Sequence, residues 1–107
     1  MSGINEMNPV AILHRWFNEN NDYFISICSE LKFKDSGREA ACVDLETRTH
    51  IISICSWNRV LCLDIQITEI ESEESSFPHT GECESIEEFK GHLARVLWWL
   101  KTEKIYV

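Results

Sequence analysis

Ile51-Ile52-Ser53-Ile54-Cys55-Ser56-Trp57, a break at Asn58-Arg59, then Val60-Leu61-Cys62-Leu63-Asp64-Ile65-Gln66-Ile67 is the stretch on which the fold turns. In its second half Leu61, Leu63, Ile65 and Ile67 alternate with Cys62, Asp64, Gln66 and Thr68, the period of two of a half-buried strand. The first half is apolar on both sides, Ile52 and Ile54 opposing Ile51 and Cys55, and reads as a more central strand. The two make a hairpin at the heart of a sheet, and neither half carries catalytic chemistry.

The next elements outward repeat the alternation. From Tyr23 to Phe33 the residues Ile25, Ile27, Leu31 and Phe33 oppose Ser26, Glu30 and Lys32, which predicts one long strand. A polar turn at Lys34-Asp35-Ser36-Gly37-Arg38 leads to a second strand, in which Ala41, Val43 and Leu45 oppose Cys42, Asp44 and Glu46. Short connections make neighbours antiparallel, so the strands form a meander. Phe77 and Cys83, around Pro78 and Gly81, leave a short fifth strand open.

A helix is expected at each end. Asn8 suits an N-cap and Pro9 the first helical position, after which Val10, Leu13, Trp16 and Phe17 share one face until Asn20-Asn21-Asp22 stops the run. Ser85-Ile86-Glu87-Glu88 is a capping box. Beyond it Ile86, Phe89, Leu93, Val96, Leu97 and Leu100 form a second apolar stripe, reaching about Thr102. One stripe per helix and one apolar sheet face give an α+β, two-layer sandwich: a four- or five-stranded antiparallel meander with both helices on one face. The other face, with Ser26, Glu30, Asp44, Glu46, Asp64 and Gln66, is left open and acidic.

Size and charge narrow the function. The 107 residues, 44% hydrophobic, suffice for a single domain over 1–107. A net charge of −8 opposes direct nucleic-acid binding, which needs a basic face, and favours a basic partner. The strongest charge run is Glu69, Glu71, Glu73, Glu74, Glu82 and Glu84, with no lysine or arginine between 69 and 84. The amino terminus lacks the pattern of a secretory signal, and no apolar stretch approaches a membrane span. Cysteines 28, 42, 55, 62 and 83 contain no Cys-x-x-Cys pair; the first four fall in expected strands, as small buried hydrophobes in a reducing cytosol.

Catalytic and metal chemistry are not expected. Histidines 14, 50, 79 and 92 sit on different elements without His-x-x-x-His or Cys-x-x-Cys spacing, so neither metal nor cofactor is assigned. The glycines are isolated and form no phosphate loop, and carboxylates in an exposed run lack a pocket to separate their pKa values. Trp98 and Trp99 point about 100° apart, placing one at the core edge and the other outside.

The helix with Trp16, the strand Ala41-Cys42-Val43-Asp44-Leu45, the strand ending in Trp57, the alternating run Leu61 to Ile67, the acidic loop and the closing Ile86-Glu87-Glu88-Phe89 helix together resemble the TriTu family of immunity proteins, over about Val10 to Leu100. In that family a glycine commonly follows the tryptophan; here Asn58 does, the residue best able to replace it at positive φ. The resemblance implies a cytoplasmic, non-enzymatic immunity protein of contact-dependent growth inhibition in a Gram-negative bacterium. It implies binding to the carboxy-terminal nuclease domain of a cognate toxin, one that cleaves tRNA and works with elongation factor Tu. The charge agrees, because an acidic inhibitor can cover the basic surface that grips tRNA. The expected toxin contacts are Glu69, Glu71, Glu73 and Glu74, then Asp44, Glu46 and Asp64 on the open face, with Trp57 as an aromatic anchor. The alternative is an acidic secretion chaperone or adaptor acting as a homodimer.

Overall fold

The central hairpin forms with the register that its alternation requires. In a computed structural model, which describes residues 8–36, 39–58 and 61–103, β3 (His50–Trp57) and β4 (Cys62–Glu69) pair antiparallel with Ile52 opposite Ile67, Ile54 opposite Ile65 and Ser56 opposite Leu63. The expected turn residues Gly37-Arg38, Arg59 of the central break, Val60 at the start of the run after it, and residues 1–7 and 104–107 lie outside the described residues. Around the hairpin, β1 (Glu30–Ser36), β2 (Ala40–Glu46) and β5 (Ser75–His79) complete a five-stranded antiparallel sheet in the order β1-β2-β3-β4-β5. The half of the hairpin that reads as the more central strand is the middle one of the sheet. The fifth strand, left open by the sequence, is present, with a register shift between Ile65 and Ile67 of β4.

Helices α1 (Pro9–Glu19) and α3 (Ile86–Glu103) close one sheet face at the two ends of the chain, as the apolar stripes require. Leu13, Trp16, Phe89, Leu93, Val96 and Leu100 are buried in one core with Val43, Leu45, Ile52, Ile54, Leu63 and Ile65. Trp99 packs at the edge of that core, edge-on to His50, while Trp98 is 67% exposed. Ser85 Oγ accepts from the Glu88 N–H at 3.0 Å, and Glu88 Oε1 accepts from Glu84 N–H, one residue earlier than the expected Ser85 N–H.

The single long strand over Tyr23–Phe33 is corrected. Asn21–Ile27 is a short helix, α2, and the strand starts only at Glu30. Phe24 and Ile27, three residues apart, are both buried, whereas Ile25, placed inward by the alternation, is 61% exposed. The acidic Asp22 lies in the first turn and favours the helix dipole. Ser26 is therefore on a helix and not on the open sheet face. The strand β1 in turn runs through Lys34, Asp35 and Ser36, where the polar run predicts a turn.

The chain's cysteines are also partly corrected. Cys42 and Cys55 stand directly opposite each other on the open face and are joined by a disulfide, rather than lying in the core as free thiols. Cys28 caps α2 and is half-buried, Cys62 is half-buried on β4, and Cys83 alone among the free thiols is buried. Burial pushes the Cys28 thiol up to about 11.

Two asparagines hold the start of α1. Asn8 Oδ1 accepts from Ala11 N–H at 3.1 Å, and Asn58 Oδ1, arriving from the end of the central hairpin, accepts from Val10 N–H at 3.0 Å. The Asn58 N–H itself donates to Glu39 O, so one residue ties the β3 end to the residue before β2 and to the helix. Asn58→Ala frees a helix N–H and is expected to lower unfolding free energy by about 1–2 kcal/mol in denaturant melts. A loss under about 0.3 kcal/mol would show that the tie carries no stability.

Candidate functional site

The acidic residues read as contacts fall into two groups. Glu69 ends β4, Glu71, Glu73 and Glu74 lie on the tight β4–β5 connection, and all four are exposed. The turn is closed by Glu73 N–H to Glu69 O at 2.8 Å and Glu69 N–H to Glu74 O at 2.9 Å. Glu73 adopts φ 63°, the left-handed region, as the chain reverses from β4 into β5. Ser72 Oγ donates to Glu69 Oε1 at 2.7 Å and fixes one of them. Ile70 N–H donates to Thr49 O, joining this turn to the β2–β3 turn. The latter is clasped by the buried Thr47 hydroxyl, which accepts from His50 N–H at 3.0 Å.

Asp44, Glu46, Asp64 and Trp57 project from the open sheet face. Glu46 sits opposite Ile51 at the end of the sheet that carries the acidic turn. Asp44 is paired with Lys34 at 3.5 Å and lies opposite Lys32 in register, so its charge is partly offset. Asp64 Oδ1 accepts from Gly81 N–H at 2.8 Å and is engaged in holding the turn after β5. Trp57 is at the far end of β3, where with Cys55, Gln66 and Phe77 it lines a shallow hollow of about 210 Å³. Phe77 is 59% exposed beside it and was not among the expected contacts. Its signal was an aromatic set in the most polar part of the chain. The acidic turn and the aromatic hollow thus occupy opposite ends of one face.

A third grouping was not foreseen. His79 at the end of β5, Cys83 in the following turn, and Glu88 and His92 on α3 bring one ligand atom each to within 4.8 Å of one another. His79 Nε2 is 3.5 Å from Cys83 Sγ, His92 Nε2 is 3.1 Å from Glu88 Oε2, and the two imidazole centroids are 4.1 Å apart. The sequence signal was a pair of four-residue spacings, His79 to Cys83 and Glu88 to His92. The histidines alone did not reveal it.

The electrostatics of this cluster do not activate the thiol. Burial, then the charge of Glu88, pushes Cys83 up to about 11, the reverse of what a cysteine nucleophile needs. Burial and the neighbouring His92 lower the pKa of His79 below the usual histidine range. The Glu84 N–H first, and then His92, hold the Glu88 carboxyl below the usual range. Burial, followed by Asp64 and Glu82, raises Cys62 nearby. A Cys–His contact exists, but the cysteine is a buried, protonated one.

Beside the cluster a larger hollow of about 460 Å³ opens between β5 and α3, lined among others by Ile67, Pro78, Arg95, Trp98 and Trp99. Among the described residues no helix is long and apolar enough to cross a membrane. No curated protein and no solved structure matches the sequence. Residues 11–99 match the family model described as Immunity protein TriTu, and with that match spanning most of its length the chain belongs to the TriTu immunity protein family.

Proposed function

We propose that the protein neutralises the carboxy-terminal domain of a contact-dependent growth inhibition toxin in the cytoplasm, by occlusion and without catalysis. The observation that carries this reading is membership of an immunity protein family over residues 11–99. The toxin is a tRNA-cleaving nuclease that acts with elongation factor Tu, and its substrate surface is basic. The acidic β4–β5 turn, with Glu69, Glu71, Glu73 and Glu74 exposed, supplies the complementary field. Glu46 extends it onto the sheet, while Asp44 and Asp64 set register more than long-range attraction, being already engaged with Lys34 and Gly81. Trp57 offers the aromatic anchor on the same face. A rigid inhibitor of this kind gains rate from its charge and lifetime from its apolar contacts.

The test is co-purification and binding kinetics with the polypeptide encoded immediately upstream, at low and high salt. Reversing Glu69, Glu71, Glu73 and Glu74 to lysine is expected to slow association by about 10- to 1,000-fold at low salt, with much of the difference gone at high salt. Binding indifferent to the four changes would move the interface away from the turn. Absence of a complex, together with a stable dimer of this chain alone, would replace the immunity reading with that of a dimeric chaperone.

A further inference from the structure

We propose that His79, Cys83, Glu88 and His92 form a binding site for one Zn²⁺ ion that fastens β5 and the turn after it to α3. The donor set is that of zinc: two imidazoles, a thiolate and a carboxylate. Bonds of about 2.0–2.3 Å in a tetrahedron require donor atoms about 3.3–3.8 Å apart. The His79–Cys83 and Glu88–His92 separations of 3.5 and 3.1 Å are close to that, and the widest gap, 4.8 Å, closes by about 1 Å through side-chain rotation.

The surroundings hold the donors in place before any ion arrives. The turn carrying Cys83 is bound to β4 by Leu63 N–H to Gly81 O at 2.9 Å, Cys83 N–H to Leu61 O at 2.7 Å and Gly81 N–H to Asp64 Oδ1 at 2.8 Å. Gly81 makes that turn at φ +96°, a conformation side chains rarely adopt. On α3, Glu88 and His92 are one helical turn apart, and Glu88 uses Oε1 for the Glu84 N–H, which leaves Oε2 for a metal. Glu82 and Glu84 flank Cys83 in the chain and Glu87 precedes Glu88, so further negative charge lies close by in sequence. Four protein ligands close the coordination shell, so the ion is structural and binding releases the Cys83 proton.

The site is independent of the toxin reading and is tested on the free full-length chain. After chelator treatment under reducing conditions, titration with Co²⁺ is expected to give the visible absorption of a tetrahedral ion, with a thiolate-to-cobalt band in the near ultraviolet, at one ion per chain. Zn²⁺ should displace it and raise the melting temperature. Cys83→Ser removes the thiolate band. His92→Gln, which keeps a polar side chain of similar reach at a partly buried helix position, lowers Zn²⁺ affinity by about 100-fold or more, since even outer-shell changes cost about 10- to 100-fold. His14→Gln, distant in sequence and exposed, changes neither. Unaltered Zn²⁺ affinity in both Cys83→Ser and His92→Gln overturns the site, as does a Co²⁺ complex without a thiolate band. Should Cys83→Ser fail to fold, the His92→Gln affinity decides alone.

Discussion

Phe89→Ala is expected to lower the unfolding free energy by about 3–5 kcal/mol, read from urea denaturation followed by far-ultraviolet circular dichroism. Phe89 is fully buried and stands one turn into α3, just after the Ser85 cap, where its own N–H donates to Ser85 O at 3.1 Å. Truncation removes the ring's contacts with the core and leaves a void that the β-sheet, fixed by its ladders, can only partly fill. A domain of this size has about 5–15 kcal/mol to lose, so the variant should melt far earlier or accumulate unfolded. The control is Trp98→Ala on the same helix, which removes a larger but exposed ring and should change stability by about 0.5 kcal/mol or less. Equal losses for the two would mean that α3 does not present its Phe89 face to the sheet.

Breaking the Cys42–Cys55 bridge is expected to cost about 3 kcal/mol. The bridge joins residues 13 apart, and closing a loop of that length removes about this much chain entropy from the unfolded state. Denaturation with and without reductant measures it, and Cys42→Ser with Cys55→Ser should reproduce the reduced midpoint without further response to reductant. Insensitivity to reductant, together with titration of all five cysteines as thiols in the unfolded chain, would show the pair to be open. With the bridge reduced, stability rests on the helix-covered core and on the ties at Asn58 and Thr47.

Much of the fold could be read because strands and helices bury one face each. Leu63, Ile65 and Ile67 alternate without interruption, and the Phe89–Leu100 stripe keeps helical spacing. The reading failed at Tyr23–Phe33, where Phe24 and Ile27 satisfy a helix while Ile25, Ile27, Leu31 and Phe33 also satisfy a strand. Burial of Phe24 decided between them, and local pattern could not. The acidic turn was visible as a charge run, but its closure through a left-handed Glu73 was not. The His79–Cys83–Glu88–His92 grouping depended on β5 returning to the β4 edge, so that its donors met only after the sheet and α3 were assembled.

The two free margins of the sheet bear on what happens when the protein is abundant and alone. β1 presents Lys32 and Lys34 along its length, and β5 is five residues long with Pro78, which has no N–H to give, beside an irregular register. Pairing with a second copy of β1 would strip water from these charged side chains, and a short, broken β5 cannot template a continuous ladder. Edge-to-edge stacking of sheets, the usual route from a small β-rich domain to fibres, is thereby disfavoured at both ends. The protein should remain dispersed at concentrations where a flat, unbroken margin would aggregate.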